Sequence, residues 1–165
     1  MEQHKNWRRI TENDLPALLE FCQENTDYYT YIKCIPTMES LREQLTILPP
    51  GATPEQKQFR GLWEGDTLIA IADLILNWPK DEVVYIGWFM VKKALQRKGI
   101  GGRLEEELTG WVKTTNLYHT VRLGCVEDNR AGLAFWQRCG FTLTGERVDT
   151  GAYTVLLLEK VLRSL

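Results

Sequence analysis

Gln96-Arg97-Lys98-Gly99-Ile100-Gly101-Gly102-Arg103 stands between an apolar stretch, Val83 to Val91, and a helix-like stretch, Leu104 to Val112. Three glycines within four positions at the start of a helix are a local liability, since each costs roughly 0.5–1 kcal/mol relative to alanine in a helix interior. A sequence that accepts that cost uses bare backbone for something. Without Cβ atoms the first-turn N–H groups are open to a ligand. They have no partner inside the helix, so a phosphate satisfies them and the positive end of the helix dipole together. Lys92, Lys93, Arg97, Lys98 and Arg103 add cationic side chains around the same spot. The run reads as an anion cradle, with a solvated helix start as the plain alternative.

Working outward, the segment Glu82 to Val91 reads as a strand feeding the cradle, and the helix behind it runs to about Thr114. Upstream, Trp7 to Ile10 reads as a first strand. Thr11-Glu12-Asn13-Asp14 then offers caps for a helix with apolar positions Leu15, Leu18, Leu19 and Cys22. Tyr28, Tyr29 and Tyr31 fall in a loop or short helix, and a second main helix runs from Thr37 to about Leu48, ended by Pro49-Pro50-Gly51. Phe59 to Trp63 and Thr67 to Leu76 bracket a Glu64-Gly65-Asp66 hairpin signal. Downstream, His119 to Cys125 is a strand, and Asp128 or Asn129 caps a helix from Arg130 to Arg138 that stops at Gly140. Phe141 to Val148 and Ala152 to Val161 close the chain. The order is β-α-α-β-β-β-α-β-α-β-β, a mixed α/β fold, and with no repeat or linker residues 1–165 read as a single domain.

Composition narrows the partners. At 165 residues, 44% hydrophobic and 10% aromatic, one core suffices. A net charge of −2 argues against nucleic acid, which calls for a basic domain or stripe. Glu105, Glu106 and Glu107 follow the basic cluster at once, so a small polyanion with one or two phosphates fits better than a duplex. No stretch reaches the ~18 apolar residues of a membrane span, and the first residues lack the apolar core of a signal peptide, so a cytoplasmic location is expected. Cys22, Cys34, Cys125 and Cys139 form no Cys-x-x-Cys pair and read as free thiols, with no metal site.

Val91 to Phe141 resembles the GNAT superfamily of acyl-CoA-dependent N-acetyltransferases. Gln96-x-x-Gly99-x-Gly101 matches its Arg/Gln-x-x-Gly-x-Gly/Ala signature, and Val91 stands five residues before it, where the family usually has a strand-ending valine. Asn129 and Gly140-Phe141 match the ends of its Asn-x-x-Ala followed by a helix ending in Gly-Phe, with Ala131 one residue short of the alanine position, where Gly132 stands. Other phosphate motifs fail: a dinucleotide fingerprint needs glycine where Leu104 stands, and a Walker loop needs Gly-Lys-Ser/Thr where Gly102 precedes Arg103. The resemblance implies acetyl-CoA as acyl donor. Its pyrophosphate would lie on the backbone of Arg97, Lys98, Gly99, Ile100, Gly101 and Gly102. Its pantetheine arm would pair with Phe89, Met90 and Val91 like an added strand, beside Asn129, Phe135 and Trp136. The strand ending at Val91 would splay from the strand His119 to Cys125. The acceptor would be a primary amine of a small molecule, peptide or protein, received by a wall including Tyr28, Tyr29 and Tyr31. Those tyrosines, like Trp63, Trp78 and Trp88, could equally be core. Members of the family often pair, which leaves a homodimer open.

Direct transfer needs a neutral amine, a polarised thioester carbonyl, a stabilised oxyanion and a protonated sulfur. An alkyl amine with pKa near 10.4 is neutral to about one part in several thousand at pH 7, an α-amine near 7.7–8.0 to about a tenth or more. Base catalysis therefore matters most for alkyl amines, whereas a thiol with pKa near 8.5 leaves tolerably without an acid. The usual tyrosine acid, four residues before Gly140, is here Trp136, whose indole N–H donates but is not released. The glutamate base of the histone-type branch, six residues before the valine, is here Tyr85. Glu82, Asp73 and Glu127 are the candidate bases, acting through water, and Tyr85, Tyr153 and Cys125 the candidate acids. A carboxylate at Asp73, in Ile69-Ala70-Ile71-Ala72-Asp73-Leu74, sits where burial raises a pKa. The alternative reading is a non-catalytic CoA-sensing or interaction domain that keeps the cradle.

Overall fold

Residues 5–162 are described by a computed structural model. β1 (Lys5–Arg9) is followed by α1 (Leu15–Glu24), α2 (Thr26–Ile32) and α3 (Met38–Gln44), then by the meander β2 (Lys57–Glu64), β3 (Thr67–Leu76) and β4 (Val83–Val91). α4 (Ile100–Thr114), β5 (Thr120–Val126), α5 (Arg130–Arg138), β6 (Thr142–Asp149) and β7 (Thr154–Val161) complete the chain. The strands form one seven-stranded sheet in the order β1-β2-β3-β4-β5-β7-β6. Every neighbouring pair is antiparallel except β4 and β5, which are parallel and joined through α4.

The central strands read as continuous apolar runs because they are covered on both faces. In β3 the eight residues Leu68–Ile75 are all buried. One face carries α1 to α3 over a core of Leu15, Leu18, Phe21, Leu41, Phe59, Ile71, Trp88 and Met90. The other face carries α4 and α5 over Leu74, Val84, Ile86, Val112, Leu123, Phe141 and Leu158. α1 begins where Asp14 accepts the Thr11 N–H and two bonds from the Arg8 guanidinium, all at 2.9 Å. Pro16 sits in its first turn, where the missing N–H has no partner to lose.

Strand ends fall within two residues of the sequence reading, and two helical segments differ by more. The tyrosine segment is a helix in its own right, closed by Lys33 in the left-handed region (φ 55°), so three helices rather than two connect β1 to β2. α3 ends at Gln44, four residues before Leu48. Thr46 and Ile47 are β-branched, and Leu48 precedes Pro49, which disfavours the helical region. Along the free edge, β6 is exposed at all eight positions. Its pairing with β7 shifts register between Leu143 and Arg147, a bulge of the kind that discourages edge-to-edge association.

Candidate functional site

The two strands that flank α4 separate along their length. β4 and β5 are paired only from Val83 opposite Thr120 to Ile86 opposite Leu123. On its other side β4 stays paired with β3 up to Val91 opposite Ala70. Between Trp88, opposite Asp73, and Ile86, opposite Leu74, β4 spends one residue more than β3, so Gly87 is the extra residue of a β-bulge. A bulge bends its strand and sharpens the local twist, and here the divergence of β4 from β5 starts at that residue. From Gly87 to Val91 one edge of β4 has no strand beside it. Opposite the fork, β5 has Gly124. A Cβ there would lie 3.1 Å from the Tyr85 hydroxyl and 2.6 Å from Val155 Cγ1, so the close approach needs glycine.

At the wide end, the three glycines serve three purposes. Gly99, the N-cap of α4, takes φ 76°, which an L side chain resists. Gly101 is bare because a Cβ would meet Phe135 Cε2 at 3.1 Å, where α5 presses on α4. At Gly102 a Cβ would meet nothing within 4 Å, leaving that first-turn surface open. Arg103 N–H is the first donor to reach a backbone carbonyl, that of Gly99 at 3.4 Å, and the N–H groups of Gly99, Ile100, Gly101 and Gly102 donate to no acceptor among the described residues. The basic cluster divides in two. Lys92 and Lys93 pair with Glu24 at 3.3 Å and Asp27 at 3.1 Å, tying α1 and α2 to the loop. Arg97, Lys98 and Arg103 have no carboxylate partner among the described residues and add positive charge beside the open donors. Donors without acceptors, a bare helix start and three unpaired cations fit a pyrophosphate. Gln96 braces this end from within. Its amide donates to Val91 O at 2.9 Å and to Asn25 Oδ1 at 2.6 Å, so its side chain is spent on the protein. Asn129 caps α5 by accepting the Gly132 N–H at 2.9 Å. Phe89, Phe135, Trp136 and Phe141 form a run of aromatic contacts with centroids 4.9–6.2 Å apart, which buries the Trp136 indole in the core.

On the α1 to α3 face, Tyr28 stacks on Trp88 (6.0 Å, 25°) and Trp88 on Phe59 (5.9 Å, 25°). Tyr29 meets Tyr28 edge-on and packs against the cluster that holds Cys22 of α1. Burial pushes the Tyr28 and Tyr29 phenols up, which keeps both neutral. Tyr31 lies half-buried on the same helix. Lys33 Nζ donates to Ala152 O at 2.7 Å, so the end of α2 bridges to the β6–β7 turn.

The four candidate catalytic groups divide by position. Tyr85 reaches the fork at Gly124. Burial holds its phenol above the ordinary value, opposed by Arg122. Asp73 is in the row of Phe59 and Trp88, its register partners on β2 and β4. Its Oδ2 accepts from Lys57 Nζ at 2.6 Å and Gln44 Nε2 at 2.9 Å, and its buried Oδ1 has no partner among the described residues. Burial raises the Asp73 pKa and Lys57 opposes the rise. Glu82 is at the other end of β4 from Val91, exposed, 3.6 Å from His119. Four paired residues separate it from the fork, about 13 Å of strand. Glu127 forms a two-bond pair with Arg147 at 2.9 Å on the β5–β6 surface. Cys125 is pushed up to about 11 by burial. The structure thus brings Tyr85 and Asp73 to the fork and leaves Glu82 and Glu127 on the surface.

Gly87, Gly124, Lys57 and Gln44 are site residues that the sequence reading missed. A glycine inside a strand marks a bulge or a close approach, so Gly87 and Gly124 carried a usable signal. Nothing local announces Lys57 or Gln44, which reach Asp73 from 16 and 29 positions away. Among the described residues no group of three or more His, Cys, Asp or Glu side chains could hold a metal ion, and no helix is long and apolar enough to cross a membrane.

With this geometry in hand, comparison with known proteins gives a consistent picture. The family model described as Acetyltransferase (GNAT) family matches residues 18–141. Comparison with curated proteins gives no match. Similar solved structures include an acetyltransferase from Thermus thermophilus, with TM-score 0.78, 20% identity and coverage of 98% of this chain and 100% of that one. PaiA N-acetyltransferase from Thermoplasma acidophilum, in complex with coenzyme A, gives TM-score 0.67 and 21% identity, covering 96% of this chain and 99% of that one. Ribosomal-protein-S18-alanine N-acetyltransferase from Escherichia coli gives TM-score 0.68 and 15% identity, covering 98% and 96%.

Proposed function

The chain belongs to the GNAT acetyltransferase family, and on that premise we propose that it is an N-acetyltransferase that transfers acetyl directly from acetyl-CoA to a primary amine in a ternary complex. Acetyl-CoA is the acyl donor of this family, and the similar Thermoplasma acidophilum structure was determined with coenzyme A. The observation that carries the reading is the fork itself: a strand edge unpaired from Gly87 to Val91 that leads to four unclaimed N–H donors.

When bound, the donor supplies an acetyl thioester, whose C–S bond breaks as the amine N–C bond forms. The chain's own residues do the rest. The N–H groups of Gly99, Ile100, Gly101 and Gly102, with Arg97, Lys98 and Arg103, hold the pyrophosphate. Phe89, Met90 and Val91 offer main-chain pairing, with Asn129 and Phe135 along the opposite wall and Trp136 packed behind them. The free N–H donors at the start of α4 suit the fixed negative charge of the pyrophosphate and so contribute to binding the donor. Tyr85 holds a proton at the fork, where a leaving sulfur would take it, and Tyr28 and Trp88 shape the acceptor side. The molecule works as a single domain and is expected in the cytoplasm. A homodimer, if formed, would appear in sedimentation. The acceptor class stays at primary amine, the named similar proteins including a ribosomal-protein-S18-alanine N-acetyltransferase.

Calorimetry with acetyl-CoA, followed by thiol-release assays across a panel of alkyl amines and peptide α-amines, tests the proposal. Saturable binding with release is the expected result, and absence of binding refutes it. One observation favours the second reading, a CoA-binding sensor: Trp136 replaces the usual tyrosine and is packed among Phe89, Phe135 and Phe141. Measurable thiol release with any amine eliminates it.

A further inference from the structure

We infer that the hollow between α4 and the outer half of the sheet, walled by Trp7 and Trp111 and rimmed by Arg60 with Arg9 beside it, is a binding site for a small aromatic carboxylate. The site is independent of the acetyltransferase reading above.

The hollow comes from how α4 lies on the sheet. On its fork side the helix is pressed by α5, where Phe135 faces Gly101. On its other flank a space of about 330 Å³ opens, with Glu107, Leu108 and Trp111 of the helix on one side and Trp7 of β1 on the other. The floor is Ala72 and Leu74 of β3, both buried. Strands favour β-branched and aromatic residues, and alanine at position 72 leaves room that a larger side chain would fill in a close-packed interior. That volume lies at the small end of ligand pockets, which are mostly apolar with a few placed polar groups. Leu108 is six residues beyond Gly102, about 9 Å of helix, so the hollow is separate from the cradle.

The rim sets the charge of the ligand. Arg60 stands directly opposite Arg9 in the β1–β2 register, and Arg9 is two residues from Trp7, so both guanidinium groups leave the sheet on the face of the hollow. Like charges directly opposite destabilise a strand pair, and neither arginine has a carboxylate partner among the described residues. An anion between them removes that repulsion. Gln58, itself in the lining, accepts from Arg60 Nε at 3.3 Å and Nη2 at 3.0 Å, which holds the guanidinium and leaves Nη1 for a charge-assisted bond. The walls set the rest. Trp111 is 48% exposed and Trp7 half-buried, and indoles receive a flat ring in stacked or edge-on contact. Glu107 is exposed on the helix wall, without a cationic partner among the described residues, and repels a second anionic group. The ligand therefore carries one carboxylate. Inorganic phosphate lacks the apolar body that the floor and walls would bury, and a cation would meet two guanidinium groups.

Calorimetry of the full chain with sodium 2-naphthoate tests the site, with 2-naphthalenemethanol as an uncharged probe of similar shape. The carboxylate should bind saturably with a Kd of about 1 mM or tighter, the range for a ligand of this size. The alcohol should bind at least about fivefold more weakly, the scale of a lost charge-assisted contact at an exposed rim. Arg9→Gln with Arg60→Gln, at two exposed positions, should remove that preference and leave the two probes within about twofold of each other. Trp111→Ala, which places a strong helix former at an exposed site, should weaken both probes at least about fivefold through the lost ring contact. Thermal unfolding first checks that each variant is folded. Saturating acetyl-CoA should leave the naphthoate affinity unchanged. The inference is overturned if the wild type shows no saturable binding, if it binds the two probes equally, or if the variants leave both affinities unmoved. Displacement of naphthoate by acetyl-CoA overturns it too, since the ligand would then lie in the fork. A chain that binds naphthoate as described but binds no acetyl-CoA refutes the acetyltransferase reading and leaves this site standing.

Discussion

The wide end of the fork and its closed end are built by opposite means. The wide end is made of main chain: residues 96–103 are consecutive, their useful groups are N–H donors, and the glycines matter for what they lack. The closed end is made of side chains gathered from α3, β2, β3, β4 and β5, with Gln44, Lys57, Asp73, Tyr85 and Gly124 meeting around one bulged residue. A backbone site depends on conformation and steric room, and fails when something is added. A side-chain site depends on charge and proton affinity, and fails when something is exchanged at constant shape.

The largest effect that separates them should follow Gly101→Glu. Its Cβ enters the Phe135 ring contact at 3.1 Å and its carboxylate opposes the bound phosphates. Acetyl-CoA affinity should fall by roughly 100-fold or more, the scale of several lost charge-assisted contacts, as read by calorimetry. Tyr85→Phe should act at the closed end alone. We expect kcat to fall about tenfold, because a thiolate leaves tolerably without an acid, while the KM for acetyl-CoA holds in steady-state assays. Equal loss of both parameters would mean that Tyr85 shapes the donor site instead.

Asp14→Asn tests a place that belongs to neither end. The Arg8 guanidinium, first by its hydrogen bonds, holds the Asp14 carboxyl below the ordinary value of 3.8. A depressed carboxylate stabilises the fold fully above its ordinary pKa, and that contribution is lost as pH falls through the lowered value. The variant should lose about 1–2 kcal/mol near pH 7, the size of a cap with a charged partner. Its disadvantage should shrink as pH falls below about 4, as followed by urea denaturation across pH, with KM values unchanged. Smallest of all, Glu82→Gln should alter kcat less than about twofold, as expected for an exposed residue whose ion pair contributes little. A larger loss would bring the far end of β4 into the chemistry.

How much could be read in advance follows the same division. The cradle was legible because a main-chain site needs consecutive residues of unusual type, and Gln96 to Arg103 advertise themselves. What stayed hidden there was purpose: Gly101 is bare for Phe135, and Gln96 spends its amide on Val91 and Asn25. The element order was legible from Thr67–Leu76 and the Asn129 cap, where periodicity and capping agree. α2 was harder, because seven residues carry little periodic signal and the helix is held by tertiary stacking of Tyr28 on Trp88. At the closed end, Asp73 drew notice as a charge in an apolar run, but Lys57 and Gln44 are ordinary polar residues until folding brings them to it.

The bulge at Gly87 sets a counting constraint on the whole central strand. Side chains alternate faces with period two, and the one extra residue in β4 leaves that alternation unbroken from Ile86 to Trp88. Deleting Gly87 would restore an even ladder in which Trp88 follows Ile86 directly and keeps its face, and would remove the bend from which β4 departs from β5. The cleft would heal into ordinary sheet. The chain can change the residue at this position far more readily than it can lose it, so its length between Val83 and Val91 is fixed by function as firmly as any side chain.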